Sequence, residues 1–224
     1  MNLATKSVLG FLNLALMMCL AIFLPAGTIR YNQAWYYLFI FFAGIIVITI
    51  YIFINDKRLL QSRLKAGATA EKRPLQKWVQ GLASVGFIGL YVVSGFDHRY
   101  QWSHVPSSLV ITSDILLVFT MLFFFIVFKK NSYLSATVEV QQDQTVVDDG
   151  PYSIVRHPMY STALLLFIAS PLALGSYWAL LTLPVMVLVL ALRCLDEEKA
   201  LKKDLPGYSE YCKRVKYRLI PFVF

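Results

Sequence analysis

Six apolar runs, at residues 8–26, 34–54, 79–96, 107–128, 159–174 and 177–192, decide what this chain can become. Most reach the roughly 20 residues that a helix needs to span a hydrocarbon core of about 30 Å. The pattern predicts an all-α polytopic membrane bundle of about six segments, the last two a short helical hairpin. Composition agrees, with 58% of the 224 residues hydrophobic, 15% charged and a mean hydropathy of +0.60. Those values lie outside the range of an ordinary soluble domain. The first run follows Lys6 and ends in small residues, as a secretory leader does. Its apolar core is longer than a leader's, so a retained first helix is expected.

Basic residues set the expected topology. Residues 55–78 carry seven of them, Lys57, Arg58, Arg63, Lys65, Lys72, Arg73 and Lys77, against Asp56 and Glu71. A short loop so rich in Lys and Arg reads as cytoplasmic. The connections on the other side hold Arg30 and Arg99, while residues 129–156 and the tail after Arg193 fall on the basic side. Both termini are therefore predicted to be cytoplasmic. The net charge of +8 needs no nucleic acid to explain it, because basic loops meet the anionic lipids of the inner leaflet. Cys19, Cys194 and Cys212 are scattered without a CxxC pair, so neither a disulfide framework nor a metal site is expected. The polar segment 95–106, with Asp97, His98, Arg99 and His104, falls on the outer side and reads as a polar cap with an interfacial Trp102.

Two regions follow from this pattern. Residues 1–128 hold four hydrophobic helices and the basic loop; residues 129–224 hold most of the polar groups suited to chemistry. The connection before "GPYSIVRHPMY" is long and polar, with β-branched residues that argue for order. After the hairpin, the last membrane helix is expected to project into the cytosol to about residue 203. It should stop at Pro206-Gly207 and resume as a shorter amphipathic helix on the membrane surface.

The chemistry gathers at the two feet of the hairpin. His157 precedes a proline, which keeps it out of helical geometry at the mouth of the helix that Pro158 starts. That mouth offers N–H groups and the positive end of a helix dipole, a seat for an anion. Arg156 adds charge, and Tyr152 and Tyr160 add aromatic faces for a cation. Arg156 and His157 also fit a plain interfacial anchor. At the other foot, "RCLDEE" places Arg193 and Glu197 four apart on one helical face. This reads either as an i, i+4 pair beside a solvated face with Asp196 and Glu198, or as an acid cluster opposite the anion seat. Together the two feet suit a ligand with a negative and a positive end.

The ordered set of Gly-Pro-Tyr, Arg-His-Pro-x-Tyr, an apolar hairpin, Glu-Glu-x-x-Leu, Gly-x-x-x-Tyr and a basic tail resembles the isoprenylcysteine carboxyl methyltransferase and phospholipid methyltransferase family. The resemblance covers roughly the C-terminal 90 residues. It implies an integral membrane enzyme that uses S-adenosylmethionine. It further implies that His157, Pro158, Met159 and Tyr160, with Tyr152, belong to the cofactor site. Gln144, Thr145, Val146 and Val147 align with a second cofactor-contacting stretch. Glu197 would contact the cofactor, Arg193 would face the acceptor as its catalytic partner, and Glu198 would hold the helix or the cofactor's amino group. No metal is implied. A lipophilic acceptor, bearing a carboxylate, amine, hydroxyl or thiol, would reach the site from the bilayer among membrane lipids.

The tail "YCKRVKYRLIPFVF" also resembles the C-terminus of sterol and steroid reductases, which bind NADPH. Those enzymes tend to read Arg-His-x-Asn-Tyr where this chain has "RHPMY". A membrane module without catalysis is the third reading.

Overall fold

The structure, a computed structural model, describes residues 2–65, 69–71, 73–141 and 143–224. Eight α-helices appear among the described residues, and no strand. Five are long and apolar enough to cross a membrane, counting the last with the 3-10 turn that precedes it. These are α1 (Leu3–Ala26), α2 (Asn32–Asn55), α4 (Pro74–Tyr100), α5 (Ser107–Lys130) and α7 (Leu183–Asp204). A sixth apolar helix, α6 (Pro158–Ala173), is shorter. The protein is thus an integral, multi-pass helical bundle, as the apolar runs predict. The outward faces of the long helices, with Leu12, Leu16, Leu20 and Leu24 on α1, are exposed as lipid-facing side chains should be.

Two small helices stand outside the spans. The basic loop folds its first part into α3 (Lys57–Leu64), started by Asp56, whose carboxylate accepts the Leu59 N–H at 2.9 Å. Lys72, one of the seven basic residues counted there, lies outside the described residues. At the other end of the chain α7 stops at Asp204, Gly207 takes a left-handed φ of +82°, and α8 (Tyr208–Arg214) follows. Pro206 and Gly207 mark that break as the sequence predicts. The hairpin differs in detail from the expectation of two equal arms. α6 runs through Pro171 to Ala173, the chain turns at Gly175, and a 3-10 turn at Trp178–Thr182 leads into α7, whose 22 residues outrun the 16 of α6.

Inside the bundle α1 packs along α4, α2 and α6 along α5, and α4 along α7. Close approach depends on small residues, because lipid gives helices no hydrophobic reason to associate and packing must supply it. Gly95 is the clearest case, since a Cβ there would lie 2.4 Å from the Ile22 carbonyl oxygen on α1. Gly95→Ala is therefore expected to destabilise the fold by about 1–3 kcal/mol, the usual cost of overpacking. It would appear as a lower thermal midpoint in detergent, with Gly81→Ala, where a Cβ meets nothing within 4 Å, as the control.

A hydrogen-bonded trio joins α2, α4 and α6 inside the bundle. The Tyr37 hydroxyl lies 2.8 Å from that of Tyr91 and 2.9 Å from Ser170 Oγ. The outer segment 95–106 is more than a cap. Asp97 is buried and accepts from Ser103 N (2.7 Å), Ser103 Oγ (2.6 Å) and Ser176 Oγ (2.5 Å). It therefore clamps the end of α4 to the corner after α6. His98 stacks on Tyr31 at 3.8 Å between ring centroids, while Trp102 is exposed.

Candidate functional site

At the end of the bundle away from Asp97, the start of α6, the end of α7, α8 and residues 131–141 and 143–147 surround a cavity of about 750 Å³, counted with its open mouth. The described residues of the connection form turns, and long-range contacts hold them in place, in keeping with the order expected from the β-branched residues. Ala136 O accepts from Arg193 Nη2 (2.6 Å) and Gln80 Nε2 (3.1 Å), and Arg63 Nη1 donates to Ser135 O (3.2 Å).

Most of the residues anticipated from the sequence meet at this cavity. Gln144, Thr145, Val146 and Val147 form one wall; Tyr152, His157, Met159 and Tyr160 form another; Arg193 and Glu197 come from α7. Pro158 and Glu198 are not among the lining residues. Pro158 is buried as the first residue of α6. Glu198 points the other way, and its carboxylate gathers cations. Arg156 Nε lies 2.7 Å away, Arg218 Nε 3.2 Å, His157 Nε2 3.4 Å and Lys202 Nζ 3.7 Å. Glu198 is thus a structural pin that joins α6, α7 and the tail.

The helix mouth is also filled from within. The Arg156 and His157 N–H groups each donate at 2.9 Å, to the Tyr217 and Arg218 carbonyls, and Ser161 Oγ donates to Leu219 O at 2.5 Å. The tail therefore lies across the start of α6, where an open anion seat was expected. His157 Nε2 sits at ion-pair distance from Glu198 without hydrogen-bond geometry. Burial disfavours a charged imidazole here, but the neighbouring Cys194, Glu198 and Glu197 outweigh it and push the His157 pKa up. The possible ligand atoms of His157, Cys194 and Glu198 lie within 4.8 Å of one another. Two guanidiniums already hold Glu198, which makes this a poor setting for a dication.

Arg193 and Glu197 do not form the i, i+4 pair their spacing allows. The Tyr160 hydroxyl stands between them, accepting from Arg193 Nε at 3.0 Å and donating to Glu197 Oε2. The rest of the guanidinium is engaged too, with Nη1 on Glu71 Oε1 (3.1 Å) and Gln76 Oε1 (3.3 Å). Asp196, one of the residues a solvated face would expose, is buried and accepts from Arg73 (2.6 Å) and Gln76 (2.8 Å). Sequence reasoning missed Glu71 and Gln76, which read as part of a basic loop and of a helix start. It also passed over Tyr208 as a site residue. Tyr208 lines the cavity from α8, and its buried hydroxyl has no hydrogen-bond partner among the described residues.

These features define a multi-pass membrane protein with a polar cavity at one end of its helices. Residues 108–206 match the Phospholipid methyltransferase family, which bears out the family resemblance read from the motifs over that stretch and extends it back into α5. The match thus covers most of the residues that line the cavity, from the connection, α6 and α7, but not α8. The chain is also 32% identical over 91 residues to the Delta(14)-sterol reductase TM7SF2 of Mus musculus. That similarity covers 39% of this chain and 22% of the reductase, so the chain matches about a fifth of that protein's length.

Proposed function

We propose that this protein is an S-adenosylmethionine-dependent methyltransferase acting on a lipophilic acceptor that reaches the cavity from the bilayer. The observation that carries this reading is convergence. Gln144–Val147, Tyr152, Met159, Tyr160 and Glu197, separated in sequence, line one cavity inside the stretch that matches the methyltransferase family.

The residues present fit the methyl donor, which supplies an electrophilic methyl group on a sulfonium and carries an ammonium and a carboxylate. Glu197 offers a half-buried carboxylate to a positive group, and Tyr152 and Tyr160 offer ring faces. The unpaired Tyr208 hydroxyl argues for a ligand, because a buried donor left without a partner costs about 1–3 kcal/mol. Arg156 and His157 line the same wall and leave it positive beside a carboxylate. The protein's part in an in-line transfer to an O, N or S nucleophile is to hold donor and acceptor aligned and to keep water out. Tyr160 supports that role by fixing Glu197 with its hydroxyl.

The orientation follows from charge. α3 and Glu71 reach the cavity end through Arg63–Ser135 and Arg193–Glu71 contacts. The basic loop that carries them belongs on the cytoplasmic side by the positive-inside rule. The site and both termini would then face the cytosol, where a water-soluble methyl donor is available.

Calorimetry on purified protein tests the reading. S-adenosylhomocysteine should bind, and His157→Ala and Glu197→Ala should abolish the heat. The similarity to the sterol reductase favours a second reading, an NADPH-dependent reductase-like enzyme. Binding of NADPH with no response to S-adenosylhomocysteine would replace the first reading with the second. A non-catalytic module would bind neither.

A further inference from the structure

We infer that Glu71, contributed by the basic loop outside the family-matched stretch, is a positioning residue of the methyl-donor site, keeping Arg193 away from Glu197. The inference rests on the methyltransferase reading.

Glu71 is 2% exposed, and its carboxylate is shared between Arg193 Nη1 at 3.1 Å and the Val138 N–H at 3.3 Å. It therefore ties the loop, α7 and the turn at 135–138 together at one point. Gln76, fully buried, adds an acceptor to the same Nη1, and Ala136 O takes Nη2. Arg193 and Glu197 are four apart on α7, a spacing at which a guanidinium and a carboxylate pair directly. Two carboxylates thus compete for one guanidinium. With Glu71 in place the fork turns toward the loop and only Nε reaches the Tyr160 hydroxyl, which passes on to Glu197 a hydrogen bond rather than a positive charge. The negative charge of Glu197 then stays available in the cavity for a cationic group. Without Glu71 the guanidinium would lose its charged partner and turn to Glu197, displacing Tyr160 and neutralising the site. Glu71 does not line the cavity itself, so it acts through Arg193 and through the turn whose Val138 N–H it accepts.

A double-mutant cycle read by calorimetry with S-adenosylhomocysteine tests this, since it needs no knowledge of the acceptor. Glu71→Gln should weaken binding roughly tenfold, the scale of one charge-assisted contact. In a Glu197→Gln background the same change should alter affinity less than about twofold, because the charge it protects is already gone. Glu71→Gln/Arg193→Gln leaves neither buried charge alone and removes the competing guanidinium. It should fold even if the single variant does not, and it should bind at least about threefold more tightly than Glu71→Gln alone. An equal loss in both Glu197 backgrounds, or a double variant as weak as Glu71→Gln, would mark Glu71 as merely structural and overturn the inference while the methyltransferase reading stands. No binding by wild-type protein would overturn both.

Discussion

Glu198→Gln is expected to destabilise the protein by about 3–5 kcal/mol, the cost of removing one partner from a buried ion cluster. The side chain is 3% exposed, and its two oxygens face Arg156, His157, Arg218 and Lys202. Glutamine keeps the shape but leaves Arg156 and His157 as cations in a closed space. Among the described residues, the Arg156 side chain has only the Cys212 and Val215 carbonyls to fall back on. Since Glu198 also joins α7 to the tail that crosses α6, both elements should loosen together. Thermal unfolding in detergent measures the effect, with the exposed Glu210→Gln as reference. A midpoint that falls no further than in that reference would count against the cluster as a pin.

Glu197→Gln should behave in the opposite way, leaving the thermal midpoint near wild type and weakening S-adenosylhomocysteine roughly 10- to 100-fold. Glu197 is half-buried, lines the cavity and receives the Tyr160 hydroxyl, which a glutamine oxygen can also accept. What changes is charge, in a place with enough exposure to avoid a large folding cost. The contrast between adjacent glutamates on one helix separates ligand binding from fold maintenance. Calorimetry and melting curves on the same two preparations show whether the effects divide this way; a Glu197→Gln variant that binds normally would remove Glu197 from the cofactor site.

Much of this architecture was legible in the sequence because membrane physics writes it in composition. Long apolar runs gave the spans, and Pro206-Gly207 gave the stop before α8. Gln144–Val147, Tyr152, His157, Met159, Tyr160, Arg193 and Glu197 line one cavity, whereas Pro158 and Glu198 do not. What the sequence hid was pairing across distance. Nothing local distinguishes Glu71 from a loop acid, and its partner lies on α7. The tail's grip on α6 runs through backbone groups of residues 217 and 218, which leave no side-chain signature. Glu198 and Glu197 are neighbours with the same chemistry, and only the rotation of α7 sends one to the cavity and the other to a cluster of cations.

The shortness of α6 sets the depth of the site. Its 16 residues rise about 24 Å, whereas the 24 residues of the adjacent α5 rise about 36 Å. The outer corner after α6 is tied to the outer end of α4 through Ser176 and Asp97, so the difference of about 12 Å falls largely at the other end. The start of α6 is thus recessed behind the ends of its longer neighbours. Under the proposed methyltransferase reading, that recess is where a lipid-borne nucleophile would meet the cavity without lifting its chain out of the hydrocarbon.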